Sequence, residues 1–185
     1  MCSSDLPPLY NGVREALAAF RPGRVAKVAV LYDEPFWRVD GLSGRSAGDT
    51  GYLSSTLDTS PPDRSRGVLT GFVVGERTDG FARLSAAARK GVVLRELTAL
   101  FGPKAGEPAG FWVKDWNADP WSGGGFFGLA PGAGVTGPIR TLAEPFGAVH
   151  WAGAETVWES YGGMDGAVRS GLRAARRIRD ELDGS

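Results

Sequence analysis

The pattern of hydrophobic and polar positions predicts helices and strands along most of the chain. Apolar residues recur at helical spacing over 9–20, over 85–101 and over about 164–182. Apolar or alternating runs predict strands over 25–33, 52–58, 67–75, 110–116 and 148–153. A short helix or turn is predicted around 135–143. This order predicts an α/β (α+β) fold in which a mixed β-sheet is flanked by helices.

The first predicted strand, 25–33, is apolar at most positions, which is typical of a strand that is covered on both faces. Phe36 and Trp37 follow it and are expected to anchor the chain. A long segment over 117–134 is rich in glycine and aromatic residues. Loops of this length often contact a ligand, and we expect the same here.

The last helix carries one stripe of apolar or small residues, at positions 164, 167, 168, 171, 175, 178 and 182. This stripe is the predicted packing face of the helix. Five arginines lie mostly off the stripe, at positions 169, 173, 176, 177 and 179. They are predicted to form a solvated face, because charged side chains are seldom buried without partners.

Composition narrows the possible functions. The net charge of the 185 residues is zero, so no broad attraction to nucleic acid or to an anionic membrane is expected. No apolar run is long enough to span a bilayer, and no secretory signal is visible. Cys2 is the only cysteine and His150 the only histidine, which excludes a disulfide framework and the usual zinc motifs. We therefore expect no metal site and a cytoplasmic location.

Hydrolytic and nucleotide-binding motifs are weak. His150 lies at the predicted strand over 148–153, where a structural role is favoured over that of a catalytic base. No P-loop motif is present, and no GxGxxG follows a predicted strand. What remains is the entrance to the last helix, where Gly162 and Gly163 leave the backbone uncovered. Free N–H groups at a helix N-terminus can bind an anion, although glycines in such a turn can also serve packing alone.

The residues 150–178, HWAGAETVWESYGGMDGAVRSGLRAARRI, closely resemble the C-terminal flavin motif of the flavin-dependent monoamine oxidase family. The segment GRVAKVAVLYDEPFWR at 23–38 resembles a substrate-domain strand and turn of the family. GVLTGFVVG at 67–75 and VKDWNADPWSGGGFFGLAPG at 113–132 resemble the segments that follow. The resemblance covers about 7–182 in order, and the family binds FAD.

The resemblance implies roles for individual residues. The FAD-binding turn and helix entrance correspond to Glu155, Gly162, Gly163, Met164, Asp165, Gly166 and Ala167. Trp116 corresponds to a tryptophan beside the flavin ring, and Phe126 to one wall of the cage that orients the substrate amine. Plain core packing is the alternative for these two aromatic residues. No residue is assigned as catalytic with certainty.

This sequence departs from the family pattern at three points. Gly125 stands where some members attach the flavin through a cysteine, so FAD is expected to bind noncovalently. Gly163 stands where the opposite cage wall is usually a tyrosine, and Tyr161 or Trp158 is the candidate replacement. The N-terminal GxGxxG segment is not found, and the lysine that some members place near the flavin N5 is also expected upstream of this chain.

The expected function is therefore flavin-dependent oxidation of a primary or secondary amine to an imine or aldehyde, with oxygen reduced to hydrogen peroxide. We expect residues 1–8 to form a disordered tail, 9–145 to belong to substrate binding and 146–185 to the FAD-binding domain. Alone, the chain is expected to be inactive, and it is expected to pair as a homodimer or with a missing N-terminal half. The alternatives are a non-catalytic fragment that binds no FAD alone, or a relative of the L-amino-acid and polyamine oxidases.

Overall fold

The computed structural model describes residues 9–125 and 136–184. The chain divides into two compact units, one formed by Gly23–Phe126 and the other by Met1–Pro22 together with Phe127–Ser185. The units describe packing and do not test which residues bind substrate and which bind FAD. The predicted assignment of 9–145 and 146–185 to those two roles stays a prediction.

The unit Gly23–Phe126 is built on a five-stranded sheet with the strand order β2-β3-β4-β1-β5. The strands are β1 (Val25–Tyr32), β2 (Ser46–Ala47), β3 (Ser55–Asp58), β4 (Gly67–Val74) and β5 (Gly110–Asp115). Its helices are α2 (Arg77–Arg83) and α3 (Ala86–Phe101). The sheet and these helices of the same unit confirm the predicted α/β (α+β) class of a sheet with flanking helices. All the described strand pairs are antiparallel, so this sheet is antiparallel rather than mixed.

One face of the sheet carries the core of this unit. Val28, Val30 and Leu69 point into it and are essentially inaccessible to solvent, and they belong to one cluster with Phe81 and Val93. The predicted anchors Phe36 and Trp37 are buried in the same cluster. The Ser85 side chain accepts a hydrogen bond from the Ala88 N–H and caps α3, as its position before the helix predicts.

The opposite face of β1 is not covered within this unit. Lys27 is exposed, and Ala29 and Leu31 are only partly buried. The expectation that both faces are covered is therefore wrong for this unit. A strand that is apolar on both faces while one remains open indicates a surface that is suited to a ligand or another element.

The unit that contains both ends of the chain is helical. Its helices are α1 (Asn11–Ala19), α4 (Thr136–Ala143) and α5 (Met164–Asp183). Val13 and Ala16 of α1 and Leu142 of α4 form a small core, against which Trp151 packs. The helices lie where the apolar spacing predicts them.

The strand predicted over 148–153 is not formed. Phe146 and Val149 make one isolated bridge, and residues 150–152 have no regular structure. Among the described residues, no backbone-to-backbone hydrogen bond involves residues 150–152. A strand needs a neighbouring strand to bind its N–H and C=O groups, and the described part of this unit supplies none.

The packing face of α5 also differs from the predicted stripe. The buried residues are Gly166, Ser170 and Ala174, one turn apart, whereas the predicted stripe faces outward. Small residues allow the preceding loop to lie close to the helix axis. The apolar spacing correctly predicts a helix here. It does not predict which face of the helix packs against the rest of the unit.

The arginines of α5 do not all form a solvated face. Arg173 donates hydrogen bonds to the carbonyl oxygens of Thr156 and Trp151 and to Thr156 Oγ1, at 2.8, 3.2 and 2.9 Å. Arg177 donates to the Ala143 carbonyl at 2.8 Å. The prediction is wrong for these two residues, because backbone carbonyls at the end of α4, in the irregular segment at Trp151 and in the 3-10 turn Ala154–Thr156 are acceptors that guanidinium groups can reach. Within the described ranges, no helix is both long and apolar enough to cross a membrane.

Candidate functional site

The entrance to α5 is a tight turn that leaves the first helical N–H groups without a side-chain cap. Gly162 has a φ of 71° and donates its N–H to the Ala154 carbonyl at 3.1 Å. Gly163 is the N-cap residue, and no side chain in the described part of the protein caps this helix. Met164 follows with 90% of its surface exposed. An uncapped and exposed helix N-terminus can donate to an anion or to carbonyl oxygens of a ring.

Three acidic side chains lie at this entrance, and one of them, Glu159, accepts a hydrogen bond from Arg169 Nη1 at 3.1 Å. Asp165 accepts hydrogen bonds from Arg169 Nε at 2.7 Å and from Ser160 Oγ at 3.0 Å, and these partners lower the pKa of the carboxyl group. The Glu155 carboxylate folds back over Gly153, where an added Cβ would overlap it. Tyr161 is partly buried, and burial, followed by the negative charge of Glu155, raises the pKa of its hydroxyl. The predicted residues Glu155, Tyr161, Gly162, Gly163, Met164, Asp165, Gly166 and Ala167 therefore lie in one region of one unit.

Gly166 has a packing role in this region. A Cβ at this position would overlap the backbone carbonyl oxygen of Ser160 and lie 3.0 Å from Val157 Cγ2. Ser160 itself adopts a positive φ of 57°, which is uncommon for a residue with a side chain. The glycine therefore lets the loop before α5 lie directly against the first helical turn, independently of any ligand.

Trp116 lies in the other unit, in a pocket of about 480 Å³ on the open side of β1. The pocket is lined by Val25, Lys27, Phe72, Trp116, Ser122, Gly124 and Gly125. The ammonium group of Lys114 lies 5.1 Å from the centroid of the Trp116 ring, within the range of a cation–π contact. The lining thus combines aromatic surface with a few polar groups, as small-molecule pockets commonly do.

The loop that carries Trp116 is held against the start of β1. The Trp116 N–H donates to the Val25 carbonyl at 3.2 Å, and the Gly125 N–H donates to the Gly23 carbonyl at 2.9 Å. Asp119 stabilises the turn between them, because it accepts from Lys114 Nζ at 2.6 Å and from the N–H groups of residues 121 and 122. The Lys114 hydrogen bond is the largest influence, and together these donors lower the pKa of Asp119 to about 2.

The backbone at Gly125 is crowded. A Cβ here would overlap Val25 Cγ1 and lie 3.5 Å from the Trp116 Cβ. The position that corresponds to the attachment cysteine is thus shaped for a residue without a side chain. This is consistent with the expectation of a noncovalent cofactor, which the structure does not test directly.

Lys27 is a pocket residue that the sequence reasoning did not assign. It is exposed on β1 and lines the pocket with Trp116 and Gly125. From the family resemblance, we expect the lysine that some members place near the flavin N5 to lie upstream of this chain. A lysine at an alternating strand position, on the face that lacks the core residues, was the signal in the sequence that could have identified it.

Two sequence features cannot be placed. Phe126, the predicted cage wall, lies outside the described residues. The letters GAGVTG at 132–137 match the spacing GxGxxG, but residues 132–135 also lie outside the described ranges, and no strand is predicted before them. The spacing alone therefore assigns no phosphate-binding role.

A second cleft contains one residue that was considered for the amine cage, Trp158, and none of the residues assigned to the cofactor. It has a volume of about 700 Å³ and lies along α5, where Trp158, Leu172 and Arg176 contribute to its lining. No cluster of three or more histidine, cysteine or acidic residues suited to a metal ion exists among the described residues.

Comparisons with known proteins agree with the sequence resemblance. The profile of the family described as flavin containing amine oxidoreductase matches residues 3–179. An L-amino acid dehydrogenase of Synechocystis sp. is 36% identical over 176 residues, covering 95% of this chain and 37% of the relative.

Solved structures of amine oxidases are also similar to this chain. A structure of putrescine oxidase bound to putrescine superposes with a TM-score of 0.84 at 34% identity, covering 94% of this chain and 39% of the other. For cyclohexylamine oxidase from Brevibacterium oxydans the TM-score is 0.88 at 33% identity, with 96% and 39% covered. This chain therefore spans less than two fifths of the length of the relatives that it matches.

Proposed function

This chain belongs to the flavin containing amine oxidoreductase family, and on that premise we propose that it contributes two parts of an FAD-dependent amine oxidase. One part is the helix entrance at α5, which faces the flavin. The other is the open sheet face with Trp116, which faces the substrate amine. The overall reaction is oxidation of a primary or secondary amine to an imine, which hydrolyses to an aldehyde, while oxygen is reduced to hydrogen peroxide.

The observation that carries the proposal is the uncapped N-terminus of α5. The glycine turn at 162–163 provides no capping side chain and Met164 is exposed, so the first N–H groups of a long helix, at its positive end, have no side-chain acceptor. These are suitable donors for the pyrimidine edge of a flavin, which becomes negatively charged when it is reduced. The arrangement fits FAD, bound noncovalently, better than it fits a metal or a hydrolytic centre.

The open pocket supplies the second part. In our proposal, Trp116 provides an aromatic surface beside the cofactor, and Lys27 has the role of the lysine that some family members place near the flavin N5. The exposed position of Lys27 keeps its ammonium group available to hold a water molecule or to stabilise negative charge on oxygen. Phe126 is proposed as one wall of the amine cage on the resemblance alone.

When FAD is bound, it supplies the redox chemistry by accepting a hydride equivalent from the α-carbon of the amine. The protein residues orient the amine, exclude water from the reacting carbon and stabilise the charge that develops. Among the described residues, the acidic side chains at the α5 entrance are Glu155, Glu159 and Asp165, and Arg169 binds both Glu159 and Asp165. This agrees with a reaction in which the protein contributes position and electrostatics.

The substrate class follows from the cage, which is altered in this chain. Gly163 replaces a cage tyrosine, and Tyr161 is proposed as the remaining aromatic residue near the site. A wider cage favours a bulkier amine, and a relative that is 36% identical, the L-amino acid dehydrogenase of Synechocystis sp., is named for a reaction of amino acids. An L-amino-acid or polyamine oxidase is therefore the alternative within the same class.

A non-catalytic role for the chain by itself is the second candidate function. The chain spans less than two fifths of its relatives' length, and much of the affinity for FAD is expected from contacts to the pyrophosphate. No segment of this chain is assigned to those contacts. We therefore propose that the isolated chain does not turn over amines.

The experiment is a visible spectrum and a flavin titration of the purified chain. Flavin absorption that survives gel filtration and disappears on denaturation would support independent noncovalent binding. A colourless chain that takes up no FAD, but restores amine oxidation when it replaces the matching segment of the Synechocystis relative, would support the second candidate. A chain that neither binds FAD nor supports activity in that chimaera would contradict the proposed function.

A further inference from the structure

The cleft along α5 is formed by one face of the helix and by the segments beside it. It lies within the unit that contains both ends of the chain. The residues of α5 in its lining recur at helical spacing, so they share a face. They are Arg169, Leu172, Arg173, Arg176, Arg177 and Asp180, and Trp158 and Glu159 join them from the loop before the helix.

Positive charge exceeds negative charge in this cleft, whose lining contains four arginines and two acidic residues. Both acidic residues are already bound by arginines at 3.1 Å, Glu159 by Arg169 and Asp180 by Arg179. Arg177 has a carboxylate partner in Glu144, at 3.3 Å. Within the described residues, Arg173 and Arg176 are bound to no carboxylate.

Arg173 and Arg176 lie three positions apart and are therefore neighbours on the surface of the helix. Arg173 uses its donors on the acceptors of Trp151 and Thr156, and burial, followed by the positive charge of Arg177, lowers its pKa. Arg176 is exposed, and among the described residues its guanidinium group makes no hydrogen bond or ion pair. The two residues thus give the cleft positive charge and one free set of donors, which a bound anion would stabilise.

Two large apolar side chains lie in the same cleft. Trp158 and Leu172 are 54% and 53% exposed, although both belong to its lining. Small-molecule sites commonly combine apolar and aromatic surface of this kind with a few charged groups. Trp158 lines this cleft and not the pocket that contains Trp116.

We propose that the cleft along α5 binds a small aromatic carboxylate. The carboxylate accepts hydrogen bonds from Arg176, while Arg173 adds positive charge, and the ring packs against Trp158 and Leu172. A guanidinium group is a planar fork that matches the two oxygens of a carboxylate. Because only one guanidinium group in the pair has its donors free, a single carboxylate suits the site better than a phosphate group, which has more acceptors to satisfy.

The test is a calorimetric titration of the purified full chain with naphthoate, which carries a carboxylate on a planar ring. We expect naphthoate to bind at least about tenfold more tightly than naphthylmethanol, which has the ring without the charge. Acetate, which has the charge without the ring, should also bind at least about tenfold more weakly.

Variants locate the binding. Arg176→Gln should weaken the binding of naphthoate by about tenfold, since a hydrogen bond between charged groups is lost. Leu172→Gln should weaken it by about threefold or more, because the ring loses an apolar contact. Arg95→Gln is the matched control, since it removes the same charge from an exposed position on α3 in the other unit. It should leave the affinity unchanged.

Three results would overturn the proposal. They are equal affinities for naphthoate and naphthylmethanol, equal effects of Arg176→Gln and Arg95→Gln, and a loss of binding in Lys27→Gln that Arg176→Gln does not share. The third would place naphthoate in the pocket of Trp116 instead. Thermal unfolding of the variants checks that they fold, as we expect for substitutions at exposed positions. None of these measurements requires FAD or an amine, so their outcome is independent of the proposed function.

Discussion

Gly125 occupies a backbone position that has no room for a side chain. A side chain there would overlap Val25 Cγ1, on a strand residue that is itself buried. We expect Gly125→Cys to lower the free energy of unfolding by about 1–3 kcal/mol, as overpacking commonly does. Val25→Ala in the same chain should recover part of this loss. Urea unfolding of the two single variants and the double variant measures the coupling, and strictly additive effects would contradict the overlap.

The overlap with Val25 Cγ1 should also prevent covalent attachment of a flavin to a cysteine at position 125. In the chimaera, Gly125→Cys alone should yield no flavin that resists denaturation, because the new sulfur atom is placed by a displaced backbone. Combined with Val25→Ala, a covalent fraction becomes geometrically possible. Precipitation with acid followed by the absorption spectrum of the pellet distinguishes the two results.

Asp119 makes the loop with Trp116 sensitive to acid. Its pKa in the folded protein is lowered to about 2, chiefly by the hydrogen bond from Lys114. A carboxylate with a lowered pKa stabilises the fold above its ordinary pKa of 3.8, and this stabilisation is lost as the pH falls towards 2. As the pH falls from 3.8 to about 2, the free energy of unfolding should therefore decrease more steeply in the wild type than in Asp119→Asn. Chemical unfolding measured at several pH values tests this, and parallel curves would count against it.

At the scale of one helix, α5 contains two glycines with opposite roles. Gly166 has the Ser160 carbonyl oxygen where a Cβ would lie, whereas nothing lies within 4 Å of a Cβ at Gly171. Alanine is favoured over glycine in a helix by about 1 kcal/mol. Gly171→Ala should therefore stabilise the chain by about that amount, and Gly166→Ala should destabilise it. Thermal unfolding of the two variants measures both effects. A higher melting temperature for both would contradict the overlap at Gly166 and show that the loop at 157–163 adapts freely.

Arg173 connects α5 to the irregular segment before it. Its guanidinium group serves three acceptors on Trp151 and Thr156, and Thr156 is buried. Replacing Arg173 with Met leaves these acceptors without their donor, and we expect a loss of about 2 kcal/mol in the free energy of unfolding. Arg176→Met, one turn away on an exposed position, is the control and should change stability little. Equal effects of both substitutions would show that the side-chain stem, rather than the hydrogen bonds, matters.

The limits of prediction from sequence are also clearest for elements. The helix Ala86–Phe101 and its Ser85 cap follow from spacing and chemistry within one segment. Helix Arg77–Arg83 was not predicted, because it is short, contains Gly80 and presents only Thr78 and Phe81 to the core. The strand over 148–153 failed for another reason, since strand formation depends on a partner that lies elsewhere in sequence. The spacing of apolar residues predicts which face of a helix or strand is apolar. Which other segment packs on that face depends on the tertiary structure.

The same limit applies to the candidate site. The sequence resemblance proposes the α5 entrance and Trp116 as site residues, because those residues lie in the motif itself. Lys27 went unassigned, because its proximity to Trp116 arises from the pairing of β1 with β5 and from the loop that returns to Val25. Side chains that meet through sheet topology leave no spacing signature in the sequence.

For the whole molecule, the proposed amine cage links a feature of this sequence, Gly163, to the choice of substrate. Gly163 leaves room where an aromatic wall is expected, and a Cβ there would lie 3.2 Å from the Ser160 carbonyl oxygen, so a small local shift accommodates a side chain. In the catalytically complete chimaera, Gly163→Tyr should lower the apparent KM for a small primary amine by about three- to tenfold. The ring adds aromatic surface that attracts the amine.

Gly163→Ala is the matched control for that substitution. It adds the Cβ and its local shift without the ring, so it should leave the apparent KM unchanged if the aromatic wall is the cause. The kcat should change less than the KM in Gly163→Tyr, because the wall binds substrate and transition state alike. A bulky L-amino acid should respond in the opposite direction, with a higher KM, since the ring occupies the space that the glycine leaves open. If the variant binds both amines as the wild type does, residue 163 does not border the substrate, and the altered cage cannot be the reason for a different specificity.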